Sequence, residues 1–139
     1  MRRLGVIGVL GLLLFTSCKS VTSPEDPCQL QGEWQLVELS NGTSVAIPNP
    51  EQYTIRFEAD GQVNIEADCN GCFGSYETDG NALTMGPLGC TAAYCGPLSF
   101  FDAYTAALTN VSSWSCSANE LELTHSGGTL KFRKSGASG

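Results

Sequence analysis

The sequence predicts a mainly β domain with one helix (α+β), in which about eight antiparallel strands form a sandwich or a small barrel. Three observations lead to this fold class. Short segments alternate apolar and polar residues, turn pairs such as Asp60-Gly61 separate them, and only residues 98–110 have the apolar spacing of a helix. The 139-residue chain is close to the size of one domain. It shows no internal repeat with a period of about 20–50 residues.

The strands follow from this alternation. In the first segment, Trp34 and Leu36 share one face, and the apolar pair Val37 and Leu39 indicates a β-bulge or a strand covered on both faces. The third segment continues its apolar face to Cys69, so we expect Cys69 to point into the core. In chain order, the predicted strands are residues 33–39, 53–58, 62–69, 73–78, 82–85, 111–117, 120–124 and 129–133.

The helix is predicted between the fifth and sixth strands, over residues 98–110. Ser99 and Asp102 have the spacing of a capping box, with Asp in place of the usual Glu. One face of this helix is apolar and is expected to pack on the core: Phe101, Tyr104 and Leu108.

Composition excludes several classes of protein. The chain is 42% hydrophobic and only 15% charged, which argues against a charge-rich disordered segment or a coiled coil. The sequence contains fourteen Asp and Glu residues and seven Lys and Arg residues, which gives a net charge of −7. Because phosphate backbones are bound by clustered Lys and Arg, we expect no nucleic-acid partner.

Residues 1–17 have the organisation of a lipoprotein signal peptide. Arg2 and Arg3 precede an uncharged apolar stretch, residues 4–15, which is too short to span a membrane and is typical of a secretory signal. Residues 14–18 resemble the bacterial lipobox, in which the cysteine receives a diacylglyceryl group and the signal is cut before it. We therefore expect lipid attachment at Cys18; the alternative is an ordinary cleaved signal with an incidental Cys18.

We expect the mature protein to be exported and lipid-anchored to a membrane of the bacterial cell envelope. Residues 18–27 would form the lipidated tether, 28–134 the domain and 135–139 a flexible tail. Removing residues 1–17 removes two arginines and no acid, so the net charge changes from −7 to −9, and the acyl chains must hold this acidic protein at the membrane. In a Gram-negative host, Lys19 lacks the Asp that marks inner-membrane retention in enteric bacteria, which favours the outer membrane or cell surface.

Once Cys18 is set aside, the odd total of seven cysteines becomes even. Export favours three disulfide bonds among the remaining six, with about 15 connectivities open: Cys28, Cys69, Cys72, Cys90, Cys95 and Cys116. Two alternatives use the quartet formed by Cys69, Cys72, Cys90 and Cys95, either as a zinc site or as a thiol-redox centre. An oxidising compartment argues against zinc, and the strand-like residues after Cys72 argue against a redox CxxC.

Several short motifs together resemble one known family: Gly32-x-Trp34-x-Leu36, Ile55-x-Phe57, Asp68-Cys69-Asn70, Gly74-x-Tyr76, Thr91-x3-Cys95, Leu121-x-Leu123 and Leu130-x-Phe132. In this order, over roughly residues 30–133, the chain resembles the META domain, the HslJ-type or DUF306 domain of bacterial lipoproteins. The resemblance implies a compact antiparallel β-barrel-like META fold of about eight strands, in agreement with the alternation.

The resemblance also implies roles for individual residues. Cys69 and Cys95 match the two cysteines that many members share, and beside this bond we expect Cys72 to pair with Cys90 and Cys28 with Cys116. Five motif residues are expected to be markers of the fold rather than a site: Trp34, Asn70, Gly74, Tyr76 and Thr91. Asn70 would satisfy backbone groups in a turn, and Tyr76 would lie in the core. The family is linked to heat-shock response, antibiotic tolerance and virulence, without an established enzymatic activity.

The residues themselves offer no catalytic constellation. His125, the single histidine, precedes a Ser-Gly-Gly turn and is expected to be a solvated loop residue rather than a base. We therefore expect a monomeric, non-catalytic protein without cofactor or metal. Three hypotheses remain: an anchored envelope module that binds an unidentified envelope protein or ligand, a thiol-redox or zinc protein, and a small barrel that holds an apolar ligand.

Overall fold

The computed structural model describes residues 28–136, which form a closed antiparallel β-barrel with one helix. Eight strands close the barrel because the last strand pairs with the first, and two short strands extend the sheet. The fold class predicted from the sequence is therefore confirmed. The predicted signal peptide, Cys18, the tether and residues 137–139 of the predicted tail lie outside the described residues.

The ten strands alternate in direction along the sheet. They are β1 (Gly32–Ser40), β2 (Ser44–Ala46), β3 (Tyr53–Phe57), β4 (Gln62–Ala67), β5 (Asn70–Asp79), β6 (Ala82–Met85), β7 (Gly89–Cys90), β8 (Val111–Ser117), β9 (Glu120–His125) and β10 (Gly128–Lys134). The helix α1 spans Phe101–Thr109, and a 3-10 turn, Pro50–Gln52, precedes β3. The order around the barrel is β1-β3-β4-β5-β6-β8-β9-β10, after which β10 pairs with β1; β2 pairs with β1 and β7 with β5.

The barrel has two distinct ends. The helix end contains the β4–β5 turn (68–69) and the β9–β10 turn (126–127), and α1 packs across it. The opposite end, here the Cys28 end, contains the β8–β9 hairpin and the disulfide bond between Cys28 and Cys116. Strand β8 connects the two ends through seven residues, so they are separated by about 20 Å.

Side chains fill the interior of the barrel. Its largest residues are less than 2% exposed: Trp34, Tyr53, Phe57, Tyr104 and Phe132, with Ile55 and six leucines. Tyr104 enters from α1, where its hydroxyl donates to the carbonyl oxygen of Thr54 at 3.1 Å. Over the described residues the barrel interior is therefore a packed core.

Of the two alternatives for β1, a β-bulge or a strand covered on both faces, the register shows the bulge. The pairing of β1 with β10 shifts between Leu36 and Glu38, so Val37 is the extra residue. An extra residue turns the following side chains to the other face. Trp34, Leu36 and Leu39 are consequently all buried, although strict alternation would separate Leu39 from the other two.

Three local predictions were wrong. Cys69 does not point into the core, because β4 ends at Ala67 and Asp68 adopts a left-handed φ of 60°, which turns Cys69 to the surface. His125 is not solvated: it ends β9, is 8% exposed and donates from Nε2 to Ser40 O at 2.9 Å. The capping box is not formed, because α1 begins at Phe101 and its N-cap, Phe100, has no side-chain cap.

Candidate functional site

The candidate site is the loop of residues 91–100 at the helix end, between β7 and α1 (the 91–100 loop). Two large apolar side chains on it are almost fully exposed, Tyr94 at 84% and Leu98 at 86%. Exposed apolar residues scattered singly are ordinary, but these two lie four positions apart on one loop. Whether they form a recognition surface depends on how firmly the loop is held.

Two disulfide bonds tie this loop and the strand before it to the barrel. Cys90, on β7, pairs with Cys72 on β5, and Cys95, inside the loop, pairs with Cys69 in the β4–β5 turn. The third bond joins Cys28 to Cys116 at the Cys28 end. These pairs are the same as the pairs expected above, and they engage all four cysteines of the quartet considered for zinc or redox chemistry.

Asn70 holds the middle of the loop. Its side chain is 3% exposed, and its Oδ1 accepts the Ala93 N–H at 2.8 Å while its Nδ2 donates to the Ala93 carbonyl at 2.9 Å. The same Nδ2 lies 3.3 Å from Cys95 Sγ. Asn70 thus satisfies backbone groups, as expected, but those of a segment 23 residues away rather than those of its own turn.

Thr91 holds the start of the loop through its hydroxyl and its backbone. The hydroxyl donates to Asn70 Oδ1 at 2.9 Å and accepts from the Gly71 N–H at 3.1 Å. The Thr91 N–H donates to the Gly71 carbonyl at 3.0 Å. Asn70 and Thr91 therefore act as one hydrogen-bonded unit that docks the loop on the beginning of β5.

Tyr53 holds the end of the loop. Its hydroxyl accepts the Phe100 N–H at 3.0 Å and donates to Asp68 Oδ2 at 3.2 Å. The Tyr53 ring is buried and meets the ring of Phe100 edge to face at 6.0 Å. The loop is consequently fixed at its beginning, middle and end, which leaves Tyr94 and Leu98 displayed on a rigid frame.

The other motif residues support the barrel behind the loop. Gly74 has no room for a side chain, because a Cβ there would lie 2.8 Å from Leu88 Cδ2 and 2.9 Å from the Pro87 carbonyl. Tyr76 is buried against Phe57 and donates to the Glu58 carbonyl at 2.6 Å; burial, with the nearby Asp60 and Glu58 charges, raises its pKa. Trp34 is fully buried, and its ring N–H donates to the Leu30 carbonyl at 2.9 Å.

Three acidic residues lie on segments that hold or follow the loop. Asp102, in the first turn of α1, lines the same surface depression as Tyr94. Asp68 is joined through the Tyr53 hydroxyl to Phe100, and its N–H donates to the carbonyl of Gln52, the residue after Glu51. These three acids, the acidic rim, make no ion pair with any Lys or Arg of residues 28–136.

The family follows from comparison of the whole domain. A family model of the META domain matches residues 28–137. The chain belongs to the META domain family. Among solved structures, an NMR structure of a protein from Burkholderia xenovorans is 27% identical, with a TM-score of 0.62, over 77% of this chain and 83% of that one.

Two further structures share the fold. A DUF4847 family protein from Bacteroides vulgatus is 15% identical, with a TM-score of 0.58, over 78% of this chain and 95% of its own. Another protein solved by NMR is 21% identical, with a TM-score of 0.57, over 75% of this chain and 89% of its own. No curated protein matches the sequence.

Within residues 28–136, no group of three or more His, Cys, Asp or Glu side chains is placed to hold a metal ion. His125 is occupied, because its Nδ1 accepts the Gly127 N–H at 3.2 Å while Nε2 faces Ser40. In the same range there is no helix of the length and apolarity needed to cross a membrane. The META domain is not known as a catalytic family.

Sequence reasoning missed Tyr94 and Leu98 as surface features. Leu98 was assigned to the helix, which begins three residues later, at Phe101. The available signal was the Gly96-Pro97 pair, which separates both residues from regular structure. A large apolar residue on each side of a helix-breaking pair has no strand or helix face on which to be buried.

Proposed function

We propose that this protein is a non-catalytic lipoprotein of the bacterial cell envelope whose META domain binds another envelope component through the 91–100 loop. The observation that carries the proposal is the exposure of Tyr94 and Leu98 on a loop fixed by disulfide bonds, Asn70 and Tyr53. A preorganised loop loses little conformational entropy on binding, and aromatic anchors contribute strongly to interfaces.

The membrane anchor is supported by the N-terminal sequence. Arg2 and Arg3, the apolar stretch and Cys18 match a lipoprotein signal, and nine residues separate Cys18 from Cys28. A chain of that length spans at most about 30 Å. Lipid on Cys18 would therefore keep the domain close to the surface of the membrane, with the outer membrane or cell surface favoured in a Gram-negative host.

A binding role fits the barrel better than catalysis. The interior is filled by apolar side chains, and the single histidine is engaged by two backbone groups. A nucleophile, a base and an orienting group on the surface would be needed for catalysis. The fold instead holds the 91–100 loop, with its exposed apolar side chains, in a defined position.

Metabolic labelling with an alkyne fatty acid tests the anchor. We expect the protein to be labelled, and Cys18→Ala to abolish both labelling and sedimentation with membranes. Ser20→Ala, in the same tether, is the matched control and should leave both unchanged. Labelling that persists in Cys18→Ala would refute lipid attachment at Cys18.

Co-purification from crosslinked cells tests the binding role. We expect at least one envelope component to be enriched with the wild-type protein and lost with Tyr94→Ala/Leu98→Ala. Phe73→Ala is the control, because Phe73 is 68% exposed but lies on the barrel wall beside Gly89. The same set of components with all three proteins, or equal losses from both variants, would count against the loop as the binding surface.

A further inference from the structure

We infer that the partner of the 91–100 loop is a protein surface on which basic side chains lie beside an apolar one, an inference that rests on the proposed function and adds the chemistry of the partner. Tyr94 and Leu98 supply the apolar part of the contact. Ala92, Pro97 and Phe101 line the depression next to Tyr94 and add apolar surface to it.

The acidic rim supplies the other part. Glu51 and Asp102 are exposed and Asp68 is half-buried, so all three carboxylates are within reach of solvent. Asp68 is linked to the loop by hydrogen bonds through the Tyr53 hydroxyl. Asp102 lines the same depression as Tyr94. A partner with Lys or Arg around an apolar residue would complement both the apolar centre and this rim.

The basic residues of the domain lie elsewhere and are already engaged. All four Lys and Arg residues among 28–136 lie on β3 and β10. Their contacts are Arg56 with Glu33 and Glu58, Lys131 with Glu38, Arg133 with Gln35, and Lys134 over the Trp34 ring. The negative potential of the rim is therefore not cancelled from within the described part of the chain, and basic partners are attracted to it.

The position of the loop favours a protein over the membrane as its partner. The lipidated tether would join the domain at Cys28, next to the β8–β9 hairpin, whereas the loop lies at the helix end, about 20 Å away along the strands. An acidic rim is also repelled by anionic headgroups. The anchor would thus join the domain at the end opposite the loop.

Synthetic peptides provide the probe. Three peptides of equal length have Leu and Phe at the same positions. All other positions are Lys in the first peptide, Gln in the second and Glu in the third. Each is titrated into the mature chain carrying Cys18→Ser, and amide NMR shifts are followed. We expect the Lys peptide to shift Tyr94 and Leu98, the Gln peptide to bind about tenfold more weakly, and the Glu peptide not to bind. Added salt should weaken the binding of the Lys peptide, because it screens the charges.

The matched variant neutralises the rim without changing its shape. It carries Glu51→Gln, Asp68→Asn and Asp102→Asn; Asn tolerates the left-handed backbone of position 68 and keeps an acceptor for Tyr53. We expect its affinity for the Lys peptide to fall about tenfold and its salt dependence to flatten. Thermal unfolding and the amide spectrum confirm that the variant is folded.

The outcomes separate this inference from the proposed function. Equal binding of all three peptides at Tyr94 and Leu98, or an unchanged affinity of the neutralised variant, overturns the basic partner and leaves the loop as the binding surface. No shift at Tyr94 and Leu98 with the Lys peptide at millimolar concentration overturns the inference; if co-purification also survives Tyr94→Ala/Leu98→Ala, the proposed function falls with it. Binding of the Cys18→Ser chain to phosphatidylcholine or phosphatidylglycerol vesicles that is lost in Tyr94→Ala would assign the loop to lipid and overturn the inference.

Discussion

Asn70 and Ala93 are joined by two hydrogen bonds that use both ends of the Asn70 side-chain amide, at 2.8 and 2.9 Å. This side chain takes the place that a neighbouring strand would occupy, because it offers Ala93 both an acceptor and a donor. A single residue at the start of β5 thereby fixes the centre of a loop that has no regular hydrogen-bond ladder of its own.

Replacing Asn70 should loosen the loop and destabilise the domain. We expect Asn70→Ala to lower the free energy of unfolding by about 1–3 kcal/mol, because Ala93 and Thr91 lose their partner at a buried position. Urea denaturation with the disulfide bonds intact measures the change. Asn64→Ala, an exposed position on β4, should stay within about 0.5 kcal/mol of the wild type. Equal effects of the two substitutions would show that the Asn70 contacts add little.

Gly74 and Gly71 form a matched pair on β5. A Cβ on Gly74 would meet Leu88 and Pro87 at less than 3 Å, whereas a Cβ on Gly71 would meet only the Ile65 carbonyl at 3.9 Å. We expect Gly74→Ala to destabilise the domain by about 1–3 kcal/mol and Gly71→Ala to be nearly neutral. Thermal unfolding of both variants measures the difference, and a neutral Gly74→Ala would mean that the segment 87–88 moves away freely.

The three disulfide bonds should differ in their contribution to stability. Cys28 and Cys116 are separated by 88 residues, Cys69 and Cys95 by 26, and Cys72 and Cys90 by 18. In the chain-entropy account, removing the first bond with paired Ala substitutions lowers stability by about 4–5 kcal/mol and removing either of the others by about 3–4 kcal/mol. Guanidinium denaturation of the three double variants measures the order. A larger loss from Cys72→Ala/Cys90→Ala would contradict loop length as the deciding factor.

Alkaline pH should unfold the domain through its buried tyrosine. Burial holds the pKa of Tyr104 well above its usual value of 10.0. Above about pH 10 the unfolded chain loses this proton while the native state retains it, so stability that is complete below pH 10 falls as pH rises. We expect Tyr104→Phe to be less stable at pH 7 by about 1 kcal/mol, because Thr54 loses its donor, but to lose stability less steeply above pH 10. Melting temperatures that fall equally for the two proteins between about pH 9 and about pH 12 would contradict this role.

Local alternation was sufficient to predict most of the barrel. Strand β4 buries alternate residues as its sequence indicates, and β3 does so apart from Thr54, which is also buried. The apolar pair Val37 and Leu39 indicated either a β-bulge or a strand covered on both faces, and the register places a bulge at Val37. Two of the three wrong local predictions have causes outside the alternation pattern, a backbone reversal in one and a contact with a distant segment in the other. The φ of 60° at Asp68 turned Cys69 outward, and Ser40, 85 residues away, covers His125.

The candidate site was less accessible to sequence reasoning for a related reason. Asn70 and Thr91 carry motif positions in the sequence, but their joint contact exists only when β5 and the 91–100 loop are brought together. Tyr94 and Leu98 are exposed because the disulfide bonds and hydrogen bonds hold their loop away from the core. Their exposure is a property of tertiary structure, and hydrophobicity alone predicts the reverse.

Site-specific photocrosslinking in living cells reports directly whether the 91–100 loop contacts a partner. A photoreactive amino acid is placed at Leu98, in the 91–100 loop, or at Asn119, in the exposed β8–β9 hairpin at the Cys28 end. We expect a discrete adduct with an envelope protein from position 98, lost when Tyr94→Ala is added, and none from position 119. An adduct from position 119 with none from position 98 would contradict it.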